Sequence, residues 1–288
     1  MLYRNLIIYL SASAHIIAFQ GCAAKNNEVP FSSNEYDLNR PEILYLNDPL
    51  AEISGTYFYP KDTSVFAISD ETGYLFKIHL GKKIFTERWE FDKTHDFEDI
   101  YFKDSAFYIL ESNGDIHTLK FSANGDTITT QTSVFPDKKN KNEFESFYYD
   151  SVRKKFILIC KDCEADKKET VTAWGYDAGN KSFTPSVFTI NVKLIAQKIG
   201  KKEIKFKPSA ATINPLTGDV WLVSAINMLL VVIDENGNCK AVYPLEPAFF
   251  TQPEGITFTP SGDLIISNEA GSKYNSATLL IFKRQIFS

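Results

Sequence analysis

The stretch DFEDIYF, Asp96–Phe102, decides the reading of this chain, because an acid, Glu98, opens a strand that is otherwise apolar and aromatic. The placement returns in EFESFYYD (Glu143–Asp150) with Glu145 and in QPEGITFTP (Gln252–Pro260) with Glu254. An acid that recurs in register holds a place in a repeating fold, whereas an isolated one is a turn residue.

Working outward, five segments share one form: a short strand opening on Ser or Glu, a turn, a strongly apolar strand, a polar turn and a further strand. They run over Ile53–Leu80, Phe97–Phe121, Phe144–Asp162 with Thr170–Asp177, Pro208–Asp234 and Pro253–Lys283. Within each the strands are short, rich in Val, Ile, Phe and Tyr, and separated by NG, SGD, TGD or ETG turns, the mark of antiparallel hairpins. Only INVKLIAQKIGKK (Ile190–Lys202) has the pattern of a short helix. The anchors Ser54, Glu98, Glu145, Ser209 and Glu254 recur at intervals typical of four-stranded blades, with one longer step at that connection. A single small sheet cannot bury both its faces, but five set radially bury one another. The expected fold is therefore all-β, a five-bladed β-propeller of four-stranded antiparallel blades. EILYLN (Glu42–Asn47) is expected to complete the last blade and close the ring.

Bulk properties agree. At 288 residues and 44% hydrophobic content the chain can build a large core without metal or disulfide support. A net charge of -5 leaves no basic face, which argues against nucleic acid as a partner. The opening MLYRNLIIYLSASAHIIAFQGC has one positive charge, an apolar stretch and then small residues, the layout of an export signal. That stretch is interrupted by Ser and His and is short for a membrane span of roughly 20 apolar residues. AFQGC (Ala18–Cys22) resembles a bacterial lipoprotein lipobox, with Phe19 where the pattern prefers Leu, Val or Ile. The resemblance implies a signal peptide over 1–21 and lipidation of Cys22; the alternative is an ordinary signal cut near Ala18 or Gly21. Residues 22–40 read as a tether and 41–288 as a single propeller domain. The expected setting is the bacterial cell envelope, through a membrane anchor, at the outer membrane if the cell is Gram-negative, with the protein a monomer.

Cys160 and Cys163 form one CxxC, without the second pair or the spaced histidines that a zinc site needs. They read as two separate half-buried thiols, with a disulfide as the alternative.

Taken together, EISGTYFYPKDTSVFAISDETGYLFKI, DFEDIYF, NEFESFYYD, INPLTGDVWLVSA and QPEGITFTPSGDLIISNEA resemble the successive signatures of the SdiA-regulated (YjiK-like) family of bacterial envelope proteins, over roughly residues 40 to 285. The resemblance implies a five-bladed propeller distantly like the NHL and TolB propellers, and a bound calcium ion. Two units depart from the family's Glu-Gly pair, with Glu98-Asp99 and Glu145-Ser146, while Glu254-Gly255 keeps it.

In such a propeller the innermost strands flank a central channel, so Glu98, Glu145 and Glu254 are expected to converge there as metal ligands, with Ser54 and Ser209 completing the ring. Gathered carboxylates repel unless a cation or raised pKa values relieve them. Oxygen ligands suit Ca2+ first. Asp70, Glu111, Asn268 and Glu269 recur after the second strand of their units and, with His95 beside DFEDI, are candidate ligand or supporting residues. No GxSxG, HExxH or phosphate loop is present. The function expected is a calcium-binding scaffold for a protein, glycan or small ligand; the alternative is a metal-dependent hydrolase of ester, lactone or phosphoester bonds.

Overall fold

The structure, a computed structural model, describes residue 33 and residues 35–285 apart from 47, 82–84, 124, 126, 167–168 and 272–275. The signal sequence, Cys22 and most of the expected tether lie outside the described residues.

Strand β1 (Glu42–Tyr45) comes first. Blade one holds β2 (Ile53–Tyr59), β3 (Ser64–Ser69), β4 (Thr72–His79) and β5 (Phe85–Glu90). Blade two holds β6 (Phe97–Lys103), β7 (Ala106–Glu111), β8 (Ile116–Phe121) and β9 (Ile128–Ser133). Blade three holds β10 (Asn142–Asp150), β11 (Lys155–Cys163), β12 (Thr170–Asp177) and β13 (Ser182–Asn191), followed by helix α1 (Val192–Lys198). Blade four holds β14 (Ala210–Ile213), β15 (Val220–Ser224), β16 (Leu229–Ile233) and β17 (Cys239–Pro244). Blade five holds β18 (Pro253–Phe258), β19 (Leu264–Asn268) and β20 (Thr278–Phe282), and β1 pairs antiparallel with β20 as its fourth strand. The innermost strands β2, β6, β10, β14 and β18 pack each on the next, and β18 returns to β2, so the ring is closed. Both the five-bladed expectation and its closure by the N-terminal strand hold.

Period-2 alternation explains why the middle strands read as unbroken apolar runs. In β3, Val65 and Ala67 face blade five while Phe66 and Ile68 face blade two. In β15, Trp221 and Val223 pack on blade five, and Val220 and Leu222 belong to the core shared with blade three. Each middle strand thus has a dry side in two interfaces, and each large side chain buried there contributes about 1.5–3 kcal/mol. The outer strands β5 (FTERWE) and β9 (ITTQTS) are mostly exposed and correspondingly polar.

Helix α1 lies inside the segment expected to be helical. Asn191 starts it, its side chain accepting hydrogen bonds from the backbone N–H groups of Lys193 (3.0 Å) and Leu194 (3.3 Å). The tether reading does not hold over residues 35–40. Tyr36 and Leu38 are fully buried, Tyr36 packs edge-on against Trp221 at 5.4 Å, and its hydroxyl donates to Gly262 O at 2.6 Å. Glu35 pairs with Arg284 at 2.8 Å. Tyr36 lies in the core between blades four and five, which holds this segment on the propeller.

Candidate metal centre at the channel mouth

The recurring acid owes its place to strand register. Phe97 pairs with Glu111 and Asp99 with Leu110, leaving Glu98 as an extra residue in β6. Glu145 is skipped in the same way in β10, Glu254 in β18, and Ser54-Gly55 in β2. A β-bulge of this kind bends the strand and re-aims one side chain out of the alternation. Four of the five inner strands therefore open on a bulge, and β14 instead begins directly after Ser209. The inner strands run side by side in one direction, so these residues share one face of the disk.

What gathers there differs in detail from the expected trio. The carboxylate oxygens that come within 4.8 Å of one another belong to Glu52, Asp70 and Glu269. Glu52 precedes β2, Asp70 follows β3 and Glu269 follows β19, so blades one and five build this group. The loops are tied together, with Asp70 N donating to Glu52 O at 3.3 Å and Ala270 N to Ala51 O at 2.8 Å. Glu98 and Glu254 act on each other electrostatically, and both feel Asp70. Glu145 is paired with Lys161, a β11 residue that also reaches Glu143 at 2.9 Å. Ser209 is buried beside Glu254, with its hydroxyl donating to Pro253 O at 2.7 Å, while the Ser54 carbonyl accepts from Ser267 at 3.2 Å.

Burial and mutual repulsion push these acids upward. Burial, with Asp96 next in weight and Lys161 opposing, raises Glu98 to about 9. Burial raises Glu254 to about 7, against the pull of Lys161. Glu269 reaches about 9 through burial and the charges of Glu254, Asp70 and Glu52, and Asp70 about 6 through burial and its acidic neighbours. Raised pKa values, one of the two forms of relief expected, hold protons well into the neutral range, and Lys161 adds a fixed positive charge where the sequence pointed only to a metal ion. The Asp70 Oδ1 atom is buried without a hydrogen-bond partner. An oxygen-only set with one such orphan matches what a hard divalent cation asks of its ligands, and Ca2+ fits it better than the softer metals.

The remaining candidates are outside that group of three. Asn268 is buried and its amide donates to Phe249 O at 3.1 Å and Thr278 Oγ1 at 3.0 Å, so it ties down a loop. Glu111 accepts from the Asn113 amide at 2.6 Å and meets His117 Nε2 at 2.9 Å. His95 Nδ1 stands 3.6 Å from the same carboxylate and its Nε2 stands 3.9 Å from Asp92. His95 and Glu111 therefore belong to a histidine–carboxylate cluster of blade two.

Cys160 and Cys163 are joined in a disulfide and both are buried, which corrects the reading of two separate thiols. Residues three apart in a regular strand face opposite ways, but β11 carries Lys161 as an extra residue between Asp162, paired with Glu143, and Cys160, paired with Phe144. The bulge puts both sulfurs on one side, and it is the same bulge that carries the lysine. Glu52 and Lys161 are the two site residues that sequence reasoning missed. Glu52 carried a usable signal, an acid immediately before an inner strand, whereas Lys161 has no counterpart in the other units.

Comparison with solved structures gives the same architecture. The chain is similar to Myxococcus xanthus glutaminyl cyclase at 13% identity and TM-score 0.55, over 85% of this chain and 97% of that one. It is similar to a glucose dehydrogenase at 9% identity and TM-score 0.55, over 86% and 100%, and to a luciferin-regenerating enzyme at 11% and 0.51, over 86% and 98%. At such identities the likeness is one of fold, which hosts many chemistries. No family model matches the chain, and no curated protein sequence matches it.

Proposed function

We propose that this protein is a calcium-binding propeller of the SdiA-regulated type, anchored in the bacterial envelope through lipid on Cys22 and acting as a rigid binding module. The observation that carries the cation reading is the group formed by Glu52, Asp70 and Glu269, with Asp70 Oδ1 buried and unpartnered. Glu98 and Glu254 place two further carboxyl groups at the same mouth, the first holding its proton at neutral pH, and Lys161 supplies a fixed positive charge beside them. When bound, the ion supplies positive charge that joins blades one and five across the mouth. The anchor rests on the lipobox-like AFQGC.

Elemental analysis and calorimetric titration with Ca2+ test the first part. About one ion per chain is expected, with binding weakened by Asp70→Asn and Glu269→Gln and less affected by Glu145→Gln, whose carboxylate is already paired. Absence of binding, or equal affinity in all variants, removes the cation reading. Cys22→Ser should move the protein from the membrane to the soluble fraction of a bacterial host.

A second reading, hydrolysis of an ester, lactone or phosphoester, draws on Glu98. A carboxyl held to about 9 keeps its proton at neutral pH and can pass it to a leaving group. Turnover of such substrates that disappears in Glu98→Gln while the fold persists would favour it; a blank screen favours the binding module.

A further inference from the structure

Below the acidic mouth, the inner strands enclose a second, chemically different cavity. Its lining comes from β2, β6, β10, β14 and β18 and the turns that follow β2, β14 and β18, so it opens on the opposite face of the disk. It measures about 220 Å³ and is walled by Tyr57, Phe58, Tyr101 and Phe147, with Thr56 and Asp99 at its inner end. Apart from the tyrosines, Asp99 is the one ionisable side chain that the described residues place in the lining, which among them includes no lysine, arginine or histidine.

Asp99 is held as a fixed group. Its Oδ1 accepts from its neighbour Ile100 N at 2.8 Å and its Oδ2 from Phe147 N at 2.9 Å, with a third backbone donor at Ala211. These donors lie on the inner strands of three blades, so the carboxyl reaches across the channel. Space has been left for it: a side chain on Gly55 would come within 2.6 Å of Asp99 Oδ1. Thr56, 3% exposed, carries a hydroxyl without a partner on the same wall.

We propose that this cavity is a binding site for a small organic cation, a primary alkylammonium, with Asp99 as its counter-ion and the aromatic rings as its walls. Asp99 is the single acid that the lining offers to an ammonium group, and aromatic faces attract ammonium groups while tolerating an alkyl chain. Its volume is below the roughly 300–1,000 Å³ of pockets for drug-sized ligands, which points to a compact amine.

The test is calorimetric titration of the full chain with n-butylammonium, n-butanol and butyrate, on the parent, Asp99→Asn and Glu269→Gln. One butylammonium per chain is expected. Affinity should fall at least tenfold for butanol and for Asp99→Asn, stay unchanged for Glu269→Gln, and be nil for butyrate. Should Asp99→Asn fail to fold, the carboxyl ¹³C resonance of Asp99 in the parent, followed by NMR, should shift on adding butylammonium and not on adding butanol. The proposal is overturned if butylammonium at millimolar concentration does not bind, if butanol binds equally well, or if the Asp99 resonance does not move. It is equally overturned if Asp99→Asn binds as the parent does or if Glu269→Gln abolishes binding, which would assign the amine to the acidic mouth.

Discussion

Replacing Glu269 by glutamine should make the metal-free protein more stable at neutral pH and at the same time remove its stabilisation by calcium. Glu269 is 7% exposed, and its proton is held to about 9 in the folded state against 4.5 ordinarily. Below about pH 4.5 the group keeps its proton in both folded and unfolded chains, and its contribution to stability is fully present. Between 4.5 and 9 the unfolded chain releases the proton while the folded one retains it, so stability falls as pH rises; above about 9 both are ionised and the loss is complete. At pH 7 the loss amounts to about 3 kcal/mol, from about 1.4 kcal/mol per pH unit over the interval above 4.5. Glutamine carries no proton to lose, and its amide oxygen can still accept from Gln252. In a domain of this size the gain is roughly 6–12 °C in Tm at pH 7. The assay is thermal unfolding across pH 4.5 to 9 in chelator and again with saturating Ca2+. The parent should gain stability with calcium by mass action and the variant should gain little. Parallel pH curves for parent and variant in chelator, or a variant less stable than the parent at pH 7, would refute the reasoning.

Two further variants follow from named contacts. Lys161→Met leaves Glu145, 8% exposed, without its partner, and should cost about 2 kcal/mol in metal-free thermal unfolding at pH 7, between the surface and buried limits for an ion pair. The same variant should bind Ca2+ more tightly by calorimetry, because a competing positive charge is gone. Tyr36→Ala empties a fully buried aromatic site between Trp221 and Phe258 and should cost about 3 kcal/mol, read from denaturant unfolding.

The propeller was legible because its signals are local and repeated: each unit carries its own turns and its own fully apolar middle strand, and the anchor acid recurs in three units. The register at that acid was not legible. A bulge depends on pairing with the neighbouring strand, so the sequence shows Glu98, Glu145 and Glu254 as equivalent while the structure separates them by partner, Glu145 going to Lys161. The disulfide escaped for a related reason, since Cys160 and Cys163 face the same way only through the extra residue between them. The grouping of Glu52, Asp70 and Glu269 arises from contact between the first blade and the last, a closure that no single repeat records. Asp99 was visible only as a departure from Glu-Gly; that three strands donate to it is a property of the ring.

The shared fifth blade has a consequence for how the chain matures. Its outer strand, residues 42–45, is separated from its partner, residues 278–282, by the four other blades, and its backbone groups wait for that strand before they find partners. Until then the first blade lacks a neighbour on the side of Val65 and Ala67, and apolar faces at both ends of the nascent array stay wet. Closing contacts of such long sequence separation form slowly, so the interval before the ring snaps shut is when this protein is most exposed to proteases and to its own copies.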